Sequence, residues 1–147
     1  MSTTQQLATF HLDGFFFGIE VEKVQEVIRY QAMTHVPLAS SVVQGLINLR
    51  GQIVTAIDLR RRLDLKPRPD GELPMNVVVR SDDGAVSLLV DEIGDVLEID
   101  GETFEQPPET VSGTTRELVR GVYQLRDKLL LVLDTERTLH IDTEREA

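Results

Sequence analysis

Four acidic residues stand in two pairs of equal spacing, Glu22 with Glu26 and Asp91 with Asp95. Carboxylates four residues apart share one face of a helix, and paired carboxylates are the usual equipment of general acid–base chemistry. No second catalytic residue type accompanies them, so both pairs read as the solvated edge of a short helix. His11, His35 and His140 are far apart in the chain and form neither HxxxH nor HExxH, so each reads as an exposed or hydrogen-bonded histidine rather than a metal ligand. There is no GxGxxG and no GxxxxGK[ST], which leaves nucleotide chemistry without a phosphate loop. Asp82-Asp83 is followed by Gly84 and flanked by strands, the composition of a hairpin tip rather than a phosphoacceptor pair. No enzymatic activity, cofactor or metal is expected.

The arginines say more. Arg60, Arg61 and Arg62 form a local basic run, but on so short a helix they point in different directions and make a poor RNA surface. Arg50 sits beside Gly51 at a hairpin tip, where neither packing nor capping selects a guanidinium. Its five donors suit carboxylates, either across an internal seam or on a partner. Asp58 and Asp134 each end a strand ahead of a short polar stretch, the place of a helix N-cap.

These residues must be positioned by short strands. Apolar segments at 7–12, 15–21, 45–49, 53–58, 76–80, 85–90, 95–99, 118–125 and 129–134 are each bounded by Gly, Asp or Pro. The junctions Asp13-Gly14, Arg50-Gly51, Asp82-Asp83-Gly84 and Arg126-Asp127 are tight, polar and suited to the positive φ of hairpin turns. Helix signals are brief, at 22–28, at 59–63 and from Thr135. Residues 66–74, with three prolines, read as a flexible connection between strand groups. Many strands and few helices predict sheets closing into barrels.

An internal repeat organises the chain. Residues 21–28 align with 90–97, and 45–63 align with 121–139 with six identities in nineteen positions, including Gly45/Gly121, Arg50/Arg126 and Asp58/Asp134. Two related barrels follow, each too small for a robust core alone, so the halves are expected to share a hydrophobic seam. The sequence leaves open whether the N-terminal strand pairs in its own half or crosses to the other.

Composition limits the partners. In 147 residues, 15 Lys and Arg face 25 Asp and Glu, a net charge of −10 that opposes nucleic acid and anionic membranes. There is no cysteine, and no apolar run approaches the roughly 20 residues that span a bilayer, so a cytoplasmic location is expected.

Residues 17–27, the hairpin Gly45-Leu46-Ile47-Asn48-Leu49-Arg50-Gly51 with Asp58-Leu59-Arg60, and Val90-Asp91 leading to Asp95-Val96-Leu97 resemble the CheW-like family of chemotaxis coupling proteins. That resemblance implies an all-β fold of two SH3-like five-stranded barrels packed on a shared core, with a few short helices. It makes 1–147 one CheW-like domain with repeat units at about 17–63 and 86–139, and tails at 1–6 and 140–147. It also implies a non-enzymatic adaptor joining the cytoplasmic tips of methyl-accepting chemoreceptors to the regulatory domain of the CheA histidine kinase. Carried over by position, the receptor-side residues are Val24, Glu26 and Arg50, with Gly45 supporting the hairpin and Ile93 and Val96 on the second copy. Kinase-facing residues are not assigned. An adaptor of a non-flagellar chemosensory pathway and a small-ligand-binding barrel are the alternatives. Exposed edge strands make weak homotypic contacts plausible.

Overall fold

A computed structural model describes residues 5–82, 84–99 and 104–140. Its strands are β1 (Gln5–Leu12), β2 (Phe15–Glu20), β3 (Val24–Ile28), β4 (Val43–Leu49), β5 (Gln52–Asp58), β6 (Met75–Ser81), β7 (Gly84–Val90), β8 (Glu92–Ile99), β9 (Phe104–Glu105), β10 (Val119–Gln124) and β11 (Leu129–Leu133). Three short helices, α1 (Leu59–Arg62), α2 (Gly113–Leu118) and α3 (Thr135–Leu139), and a 3-10 turn at Val21–Lys23 complete the description. The strands form two sheets, ordered β8-β1-β2-β11-β10-β9 and β3-β6-β7-β5-β4. The first has a sixth strand beyond the five expected, the two-residue β9.

The repeat is visible in backbone detail. Gly45 through Leu63 becomes β4, β5 and α1, and Gly121 through Leu139 becomes β10, β11 and α3. Both strand pairs shift register at equivalent residues, between Val43 and Gly45 and between Val119 and Gly121. Asp58 and Asp134 cap their helices through their side chains, accepting from the Arg60 and Arg137 amides. Their own amides donate to Val42 and Leu118, again equivalent positions, each at 2.8 Å.

Neither sheet belongs to one copy. The N-terminal hairpin β1–β2 pairs with β8 and runs parallel to β11, while β6–β7 pairs with β3 and runs parallel to β5. The N-terminal strand therefore crosses to the second half. It begins at Gln5, inside the segment read as a tail.

Residues 24–28 are the main correction: they form a strand, and only Val21–Lys23 turns. Val24, Val27 and Ile28 are β-branched, which disfavours helix, and β6 offers an edge on which they pair. The four-residue carboxylate spacings therefore run from a turn or bend into a strand and place no pair on a helix face. Helix α2 was not anticipated, being too short to show a period. The 82–84 turn pairs Ser81 with Gly84, and Asp83 lies outside the described residues.

Central strands are buried on both faces, which explains their unbroken apolar runs. Phe17, Ile19, Val77, Val79, Leu88 and Leu131 face a core shared by the two sheets. Their neighbours turn inward: Val78 and Leu89 join Ile47, Val54 and Ala56 within one sheet, and Phe16 joins Leu7, Leu130 and Val132 within the other. The run Phe15-Phe16-Phe17 thus serves two cores, and none of the three rings is exposed. At roughly 1.5–3 kcal/mol per buried large side chain, the shared seam makes folding of either sheet depend on the other.

Candidate partner-binding site

The β4–β5 hairpin closes through two residues, Arg50 at φ 51° and Gly51 at φ 88°, the left-handed pair of a type I′ turn. Asn48 braces it, its Oδ1 accepting from the Gly51 amide at 2.9 Å. From this tip the Arg50 Nη2 donates to Glu26 Oε2 on β3. The arginine side chain stays 72% exposed and the glutamate 21%. Of the two readings left open for Arg50, an internal salt bridge and a partner contact, the structure contains the first: Glu26 tethers a guanidinium that still faces solvent.

Gly45 lies behind the tip. A Cβ there would stand 2.7 Å from the Thr34 carbonyl oxygen and 3.0 Å from Met33 Cβ. That space is needed because Thr34 and Leu46 exchange backbone hydrogen bonds of 2.9 and 2.8 Å, seating the chain after β3 against β4. Asn76, fully buried, holds the same segment by donating to the Arg29 carbonyl while its Oδ1 accepts from Ser87.

Val24 is half-buried against the shared core and pairs with Val79. Ile93 holds the equivalent place in the second copy, on β8 opposite Phe10. Val96 is 55% exposed on the same edge strand. The structure thus joins Glu26 to Arg50, places Val24 on the strand of Glu26 and Gly45 beneath the hairpin, and sets Ile93 and Val96 on the edge of the other sheet.

Two further apolar residues lie close to the pair along the chain. Val27, the counterpart of Val96, is 41% exposed, and Ile53 at the start of β5 is 60% exposed. Strand alternation carried the signal for Ile53: Val54 and Ala56 face inward, so its side chain faces out.

A second cluster lies where β7 passes to β8. Arg60, part of the local basic run, is buried and grips Asp91 with Nε at 2.9 Å and Nη2 at 2.5 Å. Arg68 Nε adds a bond of 3.1 Å to Asp91, and the Asp13 amide donates to it at 2.9 Å. Burial alone would raise the Asp91 carboxyl, but the Arg60 hydrogen bond, the Asp13 amide and the charges of Arg60 and Arg68 outweigh it and hold it below its usual value. Thirty-one residues separate Arg60 from Asp91, and no local pattern announces their meeting. Arg60 also donates to the carbonyls of Lys66 and Pro67, so the segment read as a flexible connection is strapped to the sheets. Among the described residues, no group of three or more His, Asp or Glu is placed to hold a metal.

Comparison with known proteins places the chain in a family. Residues 6–142 match a family model described as the CheW-like domain. The chain is 30% identical to the chemotaxis protein CheW of Klebsiella aerogenes, over 92% of this chain and 81% of that protein. It is 29% identical to CheW of Treponema pallidum, over 90% and 80%. The crystal structure of the scaffolding protein TtCheW from Thermoanaerobacter tengcongensis superimposes with a TM-score of 0.83 at 25% identity, covering 96% of each chain. The two sheets are accordingly two SH3-like subdomains.

Proposed function

Because this chain belongs to the CheW-like domain family, we propose that it is a non-enzymatic adaptor coupling chemoreceptors to the CheA histidine kinase in chemotaxis. An adaptor without reacting groups transmits a signal only by binding different states of its partners unequally. The observation that carries this reading is the tethered, outward-facing Arg50 on a tight hairpin, with Val27 and Ile53 exposed nearby. Such a surface offers one oriented charge and apolar contact area, which suits the side of a receptor's helical tip. Val24, Glu26, Gly45 and Arg50 form the receptor side on the first copy, and Ile93 and Val96 contribute from the second. The place of action is the cytoplasm, where receptor tips and kinase meet; no described helix is long and apolar enough to cross a membrane.

The test is reconstitution of receptor, kinase and this chain. Arg50→Glu sets two acids side by side at the tip and reverses the charge shown to a partner, which costs several kcal/mol at an interface. The variant should melt within about 1 kcal/mol of wild type, since the site is exposed. It should still bind the kinase regulatory domain and fail to bring the kinase under receptor control. Normal coupling by the folded variant would place the receptor contact elsewhere.

A further inference from the structure

Equivalent positions inside the two sheets carry opposite chemistry. Leu7 and Gly18 on the β1–β2 hairpin correspond to Asn76 and Ser87 on β6–β7, and the registers match: Leu7 pairs with Glu20 as Asn76 pairs with Leu89, and Gly18 with Thr9 as Ser87 with Val78. Between β1 and β2 the place is filled by hydrocarbon, since a Cβ on Gly18 would stand 3.5 Å from Leu7 Cβ and 3.2 Å from Leu130 Cδ1. Between β6 and β7 it holds two fully buried polar side chains, with the Ser87 hydroxyl donating to Asn76 Oδ1 at 2.7 Å. Replacing both members of a buried hydrogen bond by apolar groups of matching shape costs little or even stabilises, and the other hairpin shows that such a pair fits. Packing therefore does not account for the asparagine; its remaining bond does, from Nδ2 to the Arg29 carbonyl at 3.0 Å.

We propose, on the basis of the receptor-side reading above, that Asn76 is a positioning residue for that side: it ends β3 and turns the following chain beneath the β4–β5 hairpin, so fixing Glu26 relative to Arg50.

The two edge strands end differently. β8 pairs with β1 through Leu97 opposite Leu7 and runs on for two more residues, Glu98 opposite Gln6 and Ile99 opposite Gln5. β3 pairs with β6 through Ile28 opposite Asn76 and stops there. The carbonyl of Arg29, the equivalent of Glu98, is taken by the Asn76 side chain. Pro74, the equivalent of Gln5, has no N–H to offer a longer strand. The return is shorter to match: Thr34, which bridges Leu46, lies six residues past Ile28, whereas Glu105, which pairs with the equivalent Val122, lies eight past Leu97.

This short return joins the two halves of the ion pair. It begins at Arg29, three residues after Glu26, and passes against Gly45, five residues before Arg50. Met33 packs it onto the interior cluster of Ile47 and Leu49. A brace at its start and the Thr34–Leu46 bonds at its end hold the strand of Glu26 and the hairpin of Arg50 at one spacing. A surface held in its binding geometry does not lose affinity to conformers that cannot bind.

The test is the double variant Asn76→Leu with Ser87→Gly, which installs the apolar pair used between β1 and β2 and alters no surface group. It should melt cooperatively. The Thr34 and Leu46 amides should exchange with solvent about tenfold faster or more, while the central amides of β7 stay protected. Affinity for a chemoreceptor cytoplasmic fragment should fall about tenfold, with affinity for the kinase regulatory domain unchanged. Unchanged exchange at Thr34 and Leu46 would overturn the proposal, and so would equal loss of both partners, the mark of a general structural role. Arg50→Glu in the same assay separates the two levels of inference. If it weakens receptor binding while the double variant binds normally, Asn76 is not a positioning residue and the receptor side stands; if Arg50→Glu itself binds normally, the receptor side falls and the role of Asn76 with it. Should the double variant not fold, Ser87→Ala, which removes only the hydroxyl that orients the Asn76 amide, should move exchange and receptor affinity in the same directions by a smaller factor, and wild-type values for both would overturn the proposal.

Discussion

Two crossovers carry the chain between the sheets, at Val21–Lys23 and at Asp91, and the repeat makes them equivalent. Their electrostatics are inverted. At Asp91 the crossover is the acid and α1 supplies the base, Arg60, whose side chain is 8% exposed. At the other, Lys23 is the base and α3 supplies Glu136, 77% exposed. A buried, multiply bonded pair is expensive to break because removing one partner strands the other, whereas an exposed pair loses most of its value to water. The repeated topology therefore sets where the chain crosses, but burial decides which crossing carries stability and which is left as surface.

The largest expected effect breaks this comparison at its strong side. Arg60→Ala leaves Asp91 beside Asp13 with Arg68 as its remaining cation and removes two hydrogen bonds to the strapped segment, and should cost about 3–5 kcal/mol in a denaturant melt. Glu136→Ala at the equivalent position should cost no more than about 1 kcal/mol. Equal losses would mean that the two crossovers do the same work. Acid gives an independent reading. The Asp91 carboxyl lies below its unfolded value of about 3.9, so its contribution is complete above that pH and is lost as pH falls through the folded value. Asp91→Asn should be less stable at neutral pH and show a shallower loss on acidification below about pH 4.

A smaller effect separates the two equivalent glycines. Gly45→Ala presses a methyl group onto the Thr34 carbonyl, 2.7 Å away and fixed by two hydrogen bonds, and should cost about 1–3 kcal/mol. Gly121→Ala meets the Phe104 ring at 2.4 Å and the Glu105 carbonyl at 2.8 Å. Phe104 is 44% exposed and β9 is only two residues long, so both neighbours can shift and a smaller loss in the same melt is expected.

What could be read from the sequence follows from the range of the forces involved. Hairpins, caps and the repeat are local, and Asp58 and Asp134 cap their helices as their neighbours suggest. The pairing of β1–β2 with β8 and β11 is not local: the repeat announces two barrels without saying which strands share one. For the site, Arg50 and Glu26 could be named through the family resemblance, but their bond is a tertiary contact. The ion pairs of Arg60 could not be read because a run of three arginines gives no sign of acids that lie far along the chain. The turn at Arg126-Asp127 also departs from expectation, since neither residue takes a positive φ. Asp127 stands where Gly51 does in the first copy, and a side chain resists the left-handed geometry that glycine accepts.

That last difference yields the smallest and most specific prediction. Arg126 is the counterpart of Arg50 and Asp95 that of Glu26, yet no ion pair joins Arg126 to Asp95. Gly51 lets the first tip turn with both residues left-handed, and this turn carries Arg50 to β3; the second tip lacks that geometry. A double-mutant cycle of Arg50→Ala with Glu26→Ala should give a coupling energy of about 0.2–1 kcal/mol, falling with added salt as expected for an exposed pair. The cycle of Arg126→Ala with Asp95→Ala should give none. The functional contrast should be larger than the energetic one: Arg126→Glu should leave kinase control by receptor intact, where Arg50→Glu should abolish it. If Arg126→Glu uncouples the kinase as strongly, the receptor reads both tips and the tethered arginine is not what distinguishes them.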